Sequence, residues 1–198
     1  MASNWLPDRD IPATTDRLIF NTTRTISNVP LQTVGRITID AGITVTFTTT
    51  NPANILTISN TTAPAFVING VLNSGINITL NTNVDAPIAG TLIIDEERTY
   101  VTGGGNSVTT VTGIMENRGT VNSSETGGQN GSLVFANGGT YIHSQDGGIV
   151  PEASWDANSN CAITGVVSTM PTGFDQRFGN FEWNSVNQAP VLDRKSVV

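Results

Sequence analysis

This sequence predicts an all-β chain wound as a right-handed parallel β-solenoid (β-helix), and three observations carry that prediction. The first is composition: 29 Thr, 21 Asn and 20 Gly among 198 residues, with a single lysine, Lys195. Threonine is β-branched and favours strands, while Asn and Gly accept the left-handed backbone of tight turns. The second is alternation. In Arg36-Ile37-Thr38-Ile39 and Thr44-Val45-Thr46-Phe47-Thr48, apolar and polar residues exchange at every step, and no window carries the i, i+3, i+4, i+7 spacing of a helix. The third is a loose repeat. An apolar strand, a glycine corner and a second strand recur around Gly70, Gly90, Gly113 and Gly138, at spacings of 20, 23 and 25 residues. A drifting period of that size marks a solenoid whose rungs differ in loop length. An antiparallel β-sandwich also shows many short strands and is the alternative. The corner unit and an aromatic content of 6% favour the solenoid.

Residues 1–30 read as an irregular lead or cap, because Trp5, Pro7, Pro12 and Asp16 interrupt them before the run Leu18-Ile19-Phe20. The solenoid itself is expected over 31–184. Strands are expected at 36–40 and 43–48, turning at Ala41-Gly42, and then at 54–58, 65–68, 76–80, 91–94, 108–112, 132–136 and 140–143. One rung of three short strands cannot bury its inner face, whereas stacked rungs form a narrow continuous core of Val, Ile, Leu and Phe. Stacked Asn and Thr side chains are expected to bond one another along the axis. From about 144 large side chains concentrate, among them Trp155, Phe174, Phe178, Phe181 and Trp183. Residues 185–198 read as a tail.

Sixteen acidic against nine basic residues give a net charge of −7. Nucleic-acid binding needs a basic face, so it is not expected. No apolar run approaches the roughly 18 residues of a membrane helix, so membrane insertion is not expected. Met1-Ala2-Ser3-Asn4-Trp5 has neither the basic nor the apolar region of a signal peptide. Met1-Ala2 reads as a start placed on a mature or internal segment, so a missing leader does not argue for the cytoplasm.

Candidate chemistry is sparse. Cys161 is the single cysteine and His143 the single histidine. They lie 18 positions apart without a supporting motif, so a buried apolar cysteine and a structural histidine are expected. Asp95-Glu96-Glu97 alternates its side chains if extended and converges only in a turn. Asp156, Asn158 and Asn160 have the D-x-N-x-N spacing of a calcium loop. Cys161 stands where that loop needs glycine, and Val167 where it needs an acid. Calcium is therefore a weak candidate, and no cofactor is expected. Tyr100, Trp155 and Trp183 are weak candidates for a sugar-stacking platform, since aromatic faces suit sugar rings. Gly103-Gly104-Gly105 lacks the strand-to-helix context of a phosphate loop.

Three segments carry a family resemblance. They are Asn4-Trp5-Leu6-Pro7 through Leu18-Ile19-Phe20, Gly139-Thr140-Tyr141-Ile142-His143 through Thr164-Gly165, and Pro171 with Gly173-Phe174-Asp175-Gln176-Arg177-Phe178-Gly179-Asn180-Phe181-Glu182-Trp183-Asn184. They resemble segments of large adhesin-like β-helix proteins that Bacteroidota-type bacteria export by the type IX secretion route. The resemblance is best over 135–184. It implies an extracellular or cell-surface location and a longer parent protein, and no activity. The function expected is a non-catalytic structural or adhesive segment that contacts surface glycans or another copy of itself through its ends. The alternatives are a carbohydrate-binding module, a pectin-lyase-like enzyme and a filament subunit.

Overall fold

The structure is a computed structural model that describes residues 13–61, 64–124 and 131–189. The chain is a parallel β-solenoid of about seven turns, with no helix among the described residues. The first turn comprises β1 (Arg17–Phe20), β2 (Arg24–Ile26) and β3 (Gln32–Val34). The second comprises β4 (Arg36–Ile39), β5 (Thr44–Thr48) and β6 (Ile55–Ile58), and the third β7 (Phe66–Ile68), β8 (Val71–Gly75) and β9 (Asn77–Leu80). The fourth has β10 (Asp85–Ile88), β11 (Thr91–Ile94) and β12 (Thr99–Val101), and the fifth β13 (Val108–Val111), β14 (Ile114–Asn117) and β15 (Thr120–Asn122). Then follow β16 (Ser132–Phe135), β17 (Thr140–His143), β18 (Ser154–Trp155), β19 (Asn160–Ile163) and β20 (Asn180–Trp183). Each of the first five turns gives one strand to each of three sheets, ordered β1-β4-β7-β10-β13-β16-β18, β2-β5-β8-β11-β14-β17-β19-β20 and β3-β6-β9-β12-β15.

Every strand pairing is parallel, and register holds although the rungs differ in length. Arg17 lies beside Arg36, 19 positions on, and Ile37 beside Phe66, 29 positions on. Loops at the corners absorb the difference, so like positions stack. Ile39, Ile68, Ile88, Val111, Phe135 and Trp155 form one inward column of the first sheet. Val45, Leu72, Leu92, Met115, Tyr141 and Cys161 form one in the second. All of these except Trp155 are fully buried. The outward columns are largely neutral; Thr33, Thr57 and Thr79 line up on the third sheet.

Several expectations change on contact with the tertiary structure. The solenoid starts by Arg17, because β1 and β2 already pair with the second turn, so the lead expected over 1–30 is shorter; residues 1–12 lie outside the described residues. The tail expected from 185 is still tied down at its start: Ser185 is buried, and Ala189 N–H donates to Val167 O at 2.7 Å. The third sheet stops at β15. Beyond it, segments 144–150 and 165–172 close that side through a single parallel bridge, Ile149 to Thr172.

Pro87 sits in the middle of β10, a central strand. Ala65 N–H donates to Asp85 O and Ala89 N–H to Ile68 O, on either side of it, so Pro87 faces β7 with no N–H to give. Pairing on that side shrinks to Ile88 beside Ile68, while the four-residue register with β13 is intact. Asn and Thr side chains bond along the axis in two ways. Asn73 Nδ2 reaches Thr46 Oγ1 at 3.1 Å, as expected of a side-chain ladder. More often an asparagine bonds the backbone of an adjoining rung: Asn54 donates to Val29 O, Asn77 donates to Pro52 O and accepts from Thr99 N–H.

Candidate functional site

A groove of about 580 Å³ opens beside β18, where the first sheet ends and the next rung does not pair with it. Its walls are Glu152, Ala153, Ser154 and Trp155 on one side and Phe174, Asp175, Gln176 and Arg177 on the other. Gln176 builds it. Its Oε1 accepts from Ala153 N–H and from the Trp155 indole N–H, both at 3.0 Å. Its Nε2 donates to Pro151 O and Gly173 O. Three of these bonds tie the two walls together, and the fourth, to Gly173 O, fixes the amide within its own segment. Glu152, Asp175 and Arg177 stand at the rim and supply charges of both signs. Gln176→Ala is expected to lower stability by about 1–3 kcal/mol, since it orphans the indole N–H, the Ala153 N–H and two carbonyls. A urea titration followed by tryptophan emission measures this.

The aromatic candidates do not form one platform. Tyr100 is 1% exposed, its ring stacks 6.0 Å from Phe66 in the core, and its hydroxyl bonds Thr109 Oγ1 at 2.8 Å. It presents no face to a sugar, which corrects its reading as a ligand residue. Alternation places Tyr100 inward on β12, a strand the sequence did not reveal. Burial also raises its phenol pKa far above the usual value. Trp155 is half-buried. One face stacks on Phe135 at 4.3 Å, and Phe178 meets it edge-on at 4.9 Å. Trp183 is half-buried on the last strand of the second sheet, and its indole N–H donates to Gln188 Oε1 at 2.7 Å. Of the three, only Trp155 contributes to the groove.

The D-x-N-x-N segment is a hydrogen-bonded turn between β18 and β19. Asp156 Oδ1 accepts from Asn158 N–H at 2.8 Å, and Asp156 O accepts from Ser159 N–H and Oγ. Asn160 points its amide at Thr140 Oγ1. The carboxylate of Asp156 thus serves the turn, and the amide of Asn160 serves the neighbouring rung. Asp95, Glu96 and Glu97 are exposed in the turn after β11, with Arg118 3.9 Å from Asp95 and 2.8 Å from Glu116. Gly103-Gly104-Gly105 is likewise a turn, with Gly103 and Gly105 at positive φ.

Cys161 is fully buried beside Tyr141 in the second-sheet column, and burial pushes its thiol pKa up to about 12. It is held as a neutral thiol, unsuited to nucleophilic attack at neutral pH. His143 is also fully buried, and it belongs to a chain of polar groups that sequence reading missed. Gly119 N–H donates to Asn117 Oδ1 at 3.1 Å, and Asn117 Nδ2 donates to the Tyr141 hydroxyl at 3.0 Å. That hydroxyl lies 3.0 Å from His143 Nδ1, and His143 Nε2 lies 2.7 Å from Gly147 O. Asn117 and His143 face each other because β14 and β17 are in register. The visible signal was alternation: Tyr141 and His143 share a face two positions apart.

Asp146 was not singled out by sequence either. Its Oδ1 accepts the backbone N–H groups of Val167, Ser168 and Thr169, each at 2.8 Å, and Oδ2 accepts Ser168 Oγ. Three peptide donors hold the exposed carboxyl well below its ordinary value of 3.8. A depressed folded-state value stabilises the fold above the unfolded value, and that contribution is lost as pH falls through the folded one. Urea midpoints are therefore expected to drop between about pH 5 and pH 2.5 in the natural chain, and by less in Asp146→Asn.

No helix of the described residues is long and apolar enough to cross a membrane. Among known proteins, no family model, no curated sequence and no solved structure matches this chain.

Proposed function

We propose that this chain is a non-catalytic structural and adhesive segment of a larger secreted protein at a bacterial cell surface, of the kind Bacteroidota export by the type IX route. The observation that carries the reading is how its reactive groups are used. Cys161 and His143 are fully buried inside the stack, and both His143 ring nitrogens are engaged by protein groups. Tyr100 is sealed in the core and Asp156 is bonded into its own turn. What the solenoid offers is a stiff rod with neutral Thr- and Asn-bearing faces, suited to polar contacts. Its last strand, β20, has one paired edge and one free edge among the described strands, and a second copy is the natural partner for such an edge.

The groove beside Trp155 supports a second reading, a contact for polysaccharide, because it combines an indole wall with rim groups of both charges. Incubation with pectin and other soluble polysaccharides, with and without calcium, tests both. The structural reading expects no turnover and a light-scattering mass that rises with concentration. Turnover of any polysaccharide overturns it. Saturable thermal stabilisation by one glycan, lost in Arg177→Ala, transfers the function to the groove.

A further inference from the structure

We propose that His143 is a proton-sensitive latch on the last turns of the solenoid: neutral, it holds segment 144–150 against the stack, and protonated, it lets that segment go. The argument rests on the direction of the polar chain around it. One end is a backbone N–H, Gly119, which can only donate, and the other is a backbone carbonyl, Gly147, which can only accept. Between those ends only one arrangement satisfies every atom. Asn117 accepts at Oδ1 and donates from Nδ2, the Tyr141 hydroxyl accepts from Asn117 and donates to Nδ1, and Nε2–H donates to Gly147. The imidazole is therefore neutral with its proton on Nε2.

A second ring proton has no place. Nδ1–H would point at a hydroxyl that already accepts from Asn117, and the hydroxyl's own hydrogen would lose its acceptor. Turning the Asn117 amide around only sets Nδ2 against Gly119 N–H. Tyr141, Asn117 and His143 are all fully buried, so water cannot supply the missing partner.

The surrounding elements bring no countercharge. On β17 the neighbour is the Tyr141 phenol; on β19 it is the apolar Ile163, while the Cys161 thiol lies two positions earlier, beside Tyr141, and phenol and thiol are both neutral across this range. On β14, Glu116 alternates to the outer face and binds Arg118 there. In the loop, Asp146 turns its carboxylate to residues 167–169.

What the latch restrains is specific. Gly147 N–H donates to Thr169 O, Thr172 N–H to Gly148 O and Val150 N–H to Thr172 O, and with the Asp146 carboxylate on residues 167–169 these bonds hold 144–150 against 165–172 on the side where the third sheet has ended. Acid surroundings would loosen that side while leaving the earlier turns closed.

Hydrogen exchange of the Gly147 and Val150 amides between about pH 8 and pH 5 tests the proposal. A released imidazole with an ordinary pKa near 6.5 is favoured about thirtyfold by protonation at pH 5, so protection factors should fall by about that ratio. His143→Gln, which can accept from Tyr141 and donate to Gly147 without titrating, should show a flat profile. Asn117→Asp should reverse the sign. Its carboxylate accepts from both Gly119 and Tyr141, freeing the hydroxyl to accept from a doubly protonated ring, so protection should rise as pH falls. A flat natural profile, a pH-dependent fall retained in His143→Gln, or an Asn117→Asp variant that loses protection in acid like the natural chain overturns the latch. If Asn117→Asp does not fold, the natural chain and His143→Gln decide between them.

Discussion

Replacing Gly90 with alanine is expected to cost about 3 kcal/mol or more, a large part of the stability of an ordinary domain. Gly70, Gly90 and Gly113 stack at the corner between the first and second sheets. A Cβ on Gly90 would lie 1.9 Å from Gly70 O and 2.6 Å from the Asn69 carbonyl carbon. A Cβ on Gly113 would lie 2.0 Å from Gly90 O. The obstructing oxygens cannot swing away, because Thr91 N–H donates to Gly70 O and Ile114 N–H to Gly90 O, both at 2.8 Å. The clash is therefore between one rung and the next, and relief requires the rungs to part. Gly42 is the contrast. It has positive φ, but a Cβ there would meet no atom within 4 Å, so Gly42→Ala should cost only the roughly 1–2 kcal/mol of a left-handed backbone. Denaturant midpoints of the two variants measure the difference, and equal losses would show that the corner is not the tight point.

Truncating Phe135 to alanine is expected to cost about 3–5 kcal/mol. Phe135 is fully buried in the inward column of the first sheet, stacked on Trp155 at 4.3 Å and edge-on to Tyr141 at 5.7 Å. Its loss opens a cavity between two large rings that hydrogen bonds hold in place, Trp155 to Gln176 and Tyr141 to Asn117, so the site cannot collapse to fill it. The transition should move to lower denaturant, and near-ultraviolet dichroism should lose intensity as the indole loses its stacked neighbour. Phe181→Ala, at a ring already 37% exposed, should cost far less. A loss at Phe135 no greater than that at Phe181 would mean the column carries little of the stability.

Alternation and glycine corners made the fold class readable, because a strand with one buried face must alternate and a rung must turn where side chains cannot fit. The strands over 36–39, 44–48, 91–94 and 140–143 were legible for that reason. Of the five three-residue strands, β2, β3, β12 and β15 were not, since so short a stretch cannot display a period; β7 was found because its residues Phe66-Val67-Ile68 are an unbroken apolar run before a glycine corner. β10 was hidden by Pro87, which is tolerated because the pairing toward β7 contracts around it. Of the candidate residues, Trp155 reaches the groove. Tyr100 reads as a sugar-stacking aromatic until alignment of β12 with β9 turns it inward. Gln176, which builds the groove, and Asp146, which pins residues 167–169, carried no sequence signal, because most of their partners are backbone groups brought near by rungs roughly 20 residues away.

By itself, then, the amino-acid order determined that this chain would be all-β, would turn at glycines and would stack rungs to bury their inner faces. Those properties follow from local sterics and the period of apolar residues. Which residues meet across rungs was decided only by tertiary structure. Register between strands 19 to 29 positions apart depends on how each loop closes, and no local rule sets that. The polar chain from Gly119 to Gly147 exists because the fifth and sixth turns align Asn117 with His143, and the groove exists because the first sheet ends at β18.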